Sequence, residues 1–398
     1  MTGAETGVRR RICIVGPLPL TINVFLRKHV GALSKVYDVT LVANGRAEDL
    51  PGVLGPHVSF VPVAIERRVR VERDVLALLR LWRLFRKERF DSVHSIIPKT
   101  GLLSMVAARL AGVPVRIHTF TGQTWATRRG LGRLALKSLD RLLAMSASRL
   151  LADSHSQRLF LVENGIVRAS AIDVLANGSV AGVDSSRFKP DAEARREIRE
   201  RLGIPREAVA FVFVGRLTRD KGLVDLSRAF LAAARRNGSI HLLIVGPDEE
   251  GLAEVFSALA EQVPGRVHSV GFADRPETYL AAADVFCLPS YREGFGMALI
   301  EAAAVGLPSI ASRIYGITDA VDDGVTGILH RPGDVPEIAE ALCLLASDPQ
   351  LRLRMGGAAR ERAMSKFSEA RVTGALMAFY REVWSRPEGR SVAPAAGE

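Results

Sequence analysis

Residues 210–222 read AFVFVGRLTRDKG, an apolar run that passes through a charged turn. Ala210–Gly215 is short, apolar and rich in Val and Phe, the signature of a strand buried on both faces, and the charged turn after it runs into a helix-period segment. Working outward, the same unit recurs. Arg11–Gly16 (RICIVG) opens the chain, followed by Asp38–Ala43, Ser59–Val63, Ser92–Ile96, Val115–Thr119, Arg149–Asp153 and Ile172–Leu175. Beyond Ala210 come His241–Gly246, Val267–Val270, Val285–Leu288, Ser309–Ala311 and Gly327–Leu329. Doubly buried strands alternating with helices require a parallel sheet covered on both sides, and the pattern starts twice. The expected class is α/β, with two Rossmann-like doubly wound domains. Ligands of open parallel sheets bind beyond the carboxyl ends of the strands, so two facing domains predict a central cleft with a site on each wall.

The expected boundaries are 1–185 and 186–368, with the charged, proline-bearing stretch Ala181–Pro205 as the connection. Glu369–Trp384 has helical spacing, and 385–398, rich in Pro, Gly and Ala, reads as a disordered tail. A length of 398 residues, 48% hydrophobic, suits two or three domains and excludes fibrous and disordered classes. Cys13, Cys287 and Cys343 are odd in number and far apart, which fits a reducing, cytoplasmic compartment and excludes a cysteine metal cluster. Neither a secretory signal nor a membrane-spanning run is legible. The net charge of +11 is lopsided: residues 1–185 hold 27 Lys and Arg against 14 Asp and Glu, the remainder 27 against 29.

A dinucleotide fingerprint is missing after the first strand, where Gly16 is followed by PLPL, so nicotinamide and flavin chemistry is disfavoured. Arg216 and Lys221 sit at a strand's carboxyl end, just before a helix. That position suits a diphosphate; the alternative is two solvated loop cations. Ser290–Glu301 reads SYREGFGMALIE. Glu293 and Glu301 are eight residues apart, with Gly294 and Gly296 at the start of a helix Met297–Val305. Glu293 can accept from sugar hydroxyls while the glycine amides meet an anion. Otherwise Glu293 caps the helix and Glu301 is a surface acid.

The combination of FVGRLTRDKG, VGF at 270–272, the long stretch from AAADVF through SYREGFGMALIE to GLPSIAS, and DDGVTGIL resembles the retaining family 4 glycosyltransferases of the GT-B fold. HTFTGQTW at 118–125 and N-x-F-L at 23–26 are similar to the capsule and O-antigen subgroup, whose members transfer N-acetylated hexosamines and fucosamines to polyprenyl-diphosphate-linked sugars. The resemblance implies that Arg216 and Lys221 hold a UDP-sugar's diphosphate, Glu293 the sugar and Glu301 the ribose. It places the amides of Gly294, Phe295 and Gly296 near the sugar and phosphate, and Gly271 and Phe272 near the uracil. It makes His118 an active-site histidine, adds Gly16 and Asn23 to the donor site, and has the C-terminal helix cross back to the first domain. A non-hydrolysing UDP-sugar epimerase and a non-catalytic UDP-sugar-binding subunit stay open as alternatives.

No D-x-D occurs, so a metal-independent reaction without cofactors is expected. The basic stretch 66–90 (ERRVRVERDVLALLRLWRLFRKERF) and a second patch with Trp125, Arg128, Arg129 and Arg133 predict either an anionic membrane surface as partner, at the inner face of the cell membrane, or a wet helix face. Nucleic acid is not an expected partner, because no nucleic-acid fold signature accompanies the charge.

Overall fold

The computed structural model describes residues 9–66 and 69–385. Arg67, Arg68 and the tail from 386 onward lie outside the described residues. The chain divides into two compact units, one ending at Ala181 and regained from Ala370, the other Gly182–Glu369.

The first unit is a seven-stranded sheet of β1 (Arg11–Val15), β2 (Asp38–Ala43), β3 (Val58–Pro62), β4 (Ser92–Ile96), β5 (Val115–Phe120), β6 (Arg149–Ala152) and β7 (Ile172–Val174). Its order is β3-β2-β1-β4-β5-β6-β7 and every pairing is parallel. Alternation along β1 explains why the sheet is covered twice. Ile12 and Ile14 enter one hydrophobic cluster, Cys13 and Val15 the other.

The second unit has β8 (Val209–Val214), β9 (Ile240–Val245), β10 (Val267–Gly271), β11 (Val285–Leu288), β12 (Ser309–Ser312) and β13 (Gly327–His330), in the order β10-β9-β8-β11-β12-β13. The order in which strands are added reverses between the parallel neighbours β8 and β11, the switch point at which such sheets open a crevice. Phe211 and Phe213 on β8 are fully buried, and each such side chain contributes about 1.5–3 kcal/mol.

Two stretches differ from the sequence expectation. Ala181–Pro205 contains a helix, Ala192–Leu202, capped by the Asp191 carboxylate and ended by left-handed Gly203. It is fastened to the second unit by Arg195 and Arg199, which grip the two oxygens of Asp284 at 2.6 Å each. Much of its anchorage is ionic, so its charge disguised it as a linker. Within the basic stretch 66–90, the helix Val71–Glu88 buries Ala77, Leu81 and Phe85 in the first unit and turns most of its arginines outward, the packed helix with a wet face that the sequence left open beside a membrane surface. Trp125, expected in a surface patch, is fully buried. Its Nε1 donates to Asp140 at 2.7 Å, and its ring stacks on Phe160.

The last helix, Glu369–Ser385, returns to the first unit. Thr373 Oγ1 hydrogen-bonds His29 at 2.9 Å, and the buried Tyr380 hydroxyl hydrogen-bonds His94 at 3.0 Å.

Candidate active site

The loops leaving β8 and β11 are pressed together at the switch point of the second sheet. Gly222 makes this possible. It has φ +70°, and a Cβ there would stand 1.9 Å from the Pro289 carbonyl oxygen, so only glycine lets the β8 loop reach the β11 loop. A third loop arrives from β12, where Gly316, at φ +83°, lies so close that a Cβ would be 2.5 Å from the Gly294 oxygen.

Charged groups fill the junction. Lys221 Nζ donates to Glu293 Oε1 at 2.5 Å, and Ser290 Oγ donates to the same oxygen at 2.9 Å. One residue earlier on each loop, Arg292 donates to Asp220 Oδ2 at 2.6 Å. The Tyr291 amide donates to the Asp220 carbonyl, and its hydroxyl donates to Asp225, which with burial pushes the phenol up to about 12. Burial acts to raise the Asp220 carboxyl, but the Thr218 hydroxyl, Arg292 and Lys221 together hold it below the usual carboxylate range. Arg216 pairs with Glu249 of the β9 loop at 2.8 Å.

Glu293 lies before the helix Met297–Val305 and Glu301 within it, partly buried. Burial drives Glu301 up to about 7, with Arg187 opposing and Glu277 adding to the rise. The two glutamates therefore differ: Glu293 is held in an ion pair, whereas burial favours the neutral form of Glu301. Gly294 and Gly296 flank the start of the helix. The Phe295 ring packs edge-on against Phe367 in the core, so only the backbone of this residue is left for a ligand. Gly271 ends β10, and the Phe272 side chain beyond it is 64% exposed.

Lys221, Glu293, Gly294, Phe295 and Gly296 thus come together, with Arg216 and Glu301 on the same set of strand-end elements. Three expected residues belong to the first unit. The Gly16 amide donates to the Val42 carbonyl, and Asn23 Nδ2 donates to the Asp49 carbonyl, so both are engaged in local structure. His118 does not sit at a strand end. β5 runs on to Phe120, and His118 is fully buried with Nδ1 on Ser95 at 2.9 Å and its ring against Gly101 and Phe120. Burial, reinforced by nearby His94, drives its pKa down to about 3, so it stays neutral. Asp220, Ser290, Arg292 and Glu249 were missed in the sequence. The Asp220–Arg292 and Arg216–Glu249 pairings join residues far apart in the chain and no spacing rule marks them, whereas Ser290 stands three residues before its partner Glu293.

Residues 194–362 match the family described as glycosyl transferases group 1, and residues 23–178 match the glycosyl transferase 4-like domain. A D-inositol 3-phosphate glycosyltransferase of Saccharomonospora viridis is 30% identical over 365 residues, 86% of this chain and 82% of that one. The chain belongs to the group 1 glycosyltransferases.

Other relatives of this transferase are the capsular polysaccharide biosynthesis glycosyltransferase CapM of Staphylococcus aureus, 29% identical over 82% of the chain and 86% of the relative, and an Escherichia coli UDP-Gal:alpha-D-GlcNAc-diphosphoundecaprenol alpha-1,3-galactosyltransferase, 30% identical over 74% and 76%. Among solved structures, Anabaena HepE with UDP and glucose superimposes with TM-score 0.78 at 18% identity, covering 94% of the transferase and all of HepE. WaaG, involved in lipopolysaccharide biosynthesis, gives 0.69 at 18% identity over 92% and 98%. These neighbours make the fold GT-B. Among the described residues, no helix is long and apolar enough to cross a membrane.

Proposed function

We propose that the transferase moves a sugar from a UDP-sugar, with retention of configuration, to a hydroxyl of a polyprenyl-diphosphate-linked saccharide in cell-surface polysaccharide biosynthesis. The observation that carries this reading is the Lys221–Glu293 pair at the switch point, on a loop that also carries Arg216 and just before a helix N-terminus. A cation for the diphosphate and a carboxylate for the sugar lie side by side there, as a nucleotide-sugar needs. The C1–O bond to the diphosphate breaks while the acceptor oxygen bonds C1 on the same face, and the acceptor proton passes to the departing diphosphate. Arg216, Lys221 and the helix N-terminus meet the charge that develops, without a metal ion. The lipid-linked acceptor is supported by the name of the Escherichia coli relative. The sugar implied by the subgroup resemblance is an N-acetylated hexosamine or deoxyhexosamine.

The acceptor's lipid requires a membrane, and the transferase docks at its cytoplasmic face through the basic first unit. Support comes from the helix Gly130–Ser146, whose first turns expose Leu131 (85%) and Leu134 close in sequence to the exposed Arg128 and Arg129.

UDP release across a panel of sugar nucleotides, with and without a lipid-linked saccharide extract, tests the proposal. Acceptor-dependent release with retention at C1 is expected. An altered sugar still attached to UDP would make the chain an epimerase, and UDP binding without release from any donor would make it a binding subunit.

A further inference from the structure

The β8 and β11 loops face each other in register. Asp220 and Lys221 on one are matched by Arg292 and Glu293 on the other, so two ion pairs form adjacent rungs with opposite polarity. The inner rung, Lys221–Glu293, is the one a nucleotide-sugar opens. Glu293 Oε1 accepts from both Lys221 and Ser290, and a diphosphate that draws on the Lys221 amine competes with that contact. Once the amine turns to a diphosphate, that rung no longer sets the spacing of the two loops. The outer rung has no such conflict. Arg292 spans to Asp220 Oδ2 while Thr218 Oγ1 donates to Oδ1, and the Tyr291 amide binds the Asp220 carbonyl at 2.8 Å. Both side chains of the outer rung are about a quarter exposed, 22% for Arg292 and 27% for Asp220.

We propose that Asp220 and Arg292 are a positioning pair, which keeps Lys221 and Glu293 at working separation while the donor parts them. The inference rests on the transferase reading above. A surface ion pair contributes little to stability, so its value here lies in geometry: a displacement of about 1 Å can cost on the order of a hundredfold in rate. The pair touches neither sugar nor diphosphate and acts only through its neighbours.

The test uses the full chain with its donor and lipid-linked acceptor. Asp220→Asn and Arg292→Gln should each lower kcat by about tenfold or more. UDP affinity, measured by calorimetry, and the thermal midpoint should stay near wild type. Arg292→Lys should recover part of the loss, and the exchanged pair Asp220→Arg with Arg292→Asp should recover more than either exchange alone. Wild-type kcat in both single variants overturns the proposal. So does a parallel fall in kcat, UDP affinity and thermal midpoint without recovery in the exchanged pair, which marks a merely structural contact. A wild-type chain that binds UDP but releases none from any donor removes the transferase reading itself, and the positioning role with it.

Discussion

The two units share a parallel sheet with a switch point but use their strand ends differently. In the second unit the loops after β8 and β11 carry Lys221, Asp220, Arg292 and Glu293 and are brought into contact by a glycine without room for a Cβ. In the first unit the polar groups on β4 and β5 turn inward. His94 bonds Tyr380 and Thr119, His118 bonds Ser95, and burial lowers both to about 3, so neither offers a cation. A shared topology sets where a site can form, while loop length, glycine and charge decide which sheet builds one.

The largest effect should come from Gly222→Val. A Cβ against Pro289 and a left-handed backbone together should cost more than about 3 kcal/mol and abolish UDP binding, read by calorimetry and thermal unfolding. Gly132→Ala, in an exposed first-unit helix with nothing within 4 Å, should be neutral or stabilising. Equal behaviour of the two variants would erase the contrast between the loops.

Next in size, Glu293→Gln should lower kcat by on the order of a hundredfold or more, as expected for loss of a contact made in the transition state. UDP binding should be kept or tightened, because Lys221 loses its internal partner. Lys221→Ala should instead weaken UDP by about tenfold, the worth of a charge-assisted hydrogen bond. UDP affinity that falls with Glu293→Gln would remove its sugar-contact role.

A smaller effect is expected for His118→Asn. It should cost about 1–3 kcal/mol of stability by disturbing a buried hydrogen bond, with kcat near wild type. Lost turnover at full stability would return His118 to the reaction. His94 and His118 have folded pKa values near 3, below the ordinary 6.5, with burial the larger cause in both. They stay neutral when folded and take up protons on unfolding, so their contribution is full above pH 6.5 and is lost as pH falls toward 3. The thermal midpoint should drop over that window, and less steeply in His94→Gln.

The smallest effect should be at the membrane. Leu131→Ser with Leu134→Ser should weaken binding to anionic vesicles several-fold. Reversing charges on the helix Val71–Glu88 should weaken it in a salt-dependent way. Unchanged, salt-insensitive binding would reduce both helices to wet surface.

Much of this was legible in one dimension. Among the described residues, the thirteen strands and the helix Met297–Val305 could be read from short apolar runs, because central strands such as β8, β9 and β11 are buried on both faces, while the edge strands β3 and β10 are only partly covered. Glu293, Lys221 and the glycines were legible for a related reason: anion binding at a strand end needs particular residue types at short range. The helix Ala192–Leu202 was not, since two arginines on one aspartate anchor it. The sequence ended β5 at Thr119; the structure carries it one residue further, to Phe120, and buries the His118 ring, which depends on packing that no spacing records.

Sequence alone therefore determined the α/β class, the two sheets, the family and the residue types at the second unit's strand ends, because these depend on local periodicity and short spacings. Tertiary structure alone decided that Lys221 pairs with Glu293 and Asp220 with Arg292, that Trp125 and His118 are interior, and that burial raises the Glu301 carboxyl. Those facts depend on burial and on contacts across about 70 residues of chain, and no local pattern encodes either.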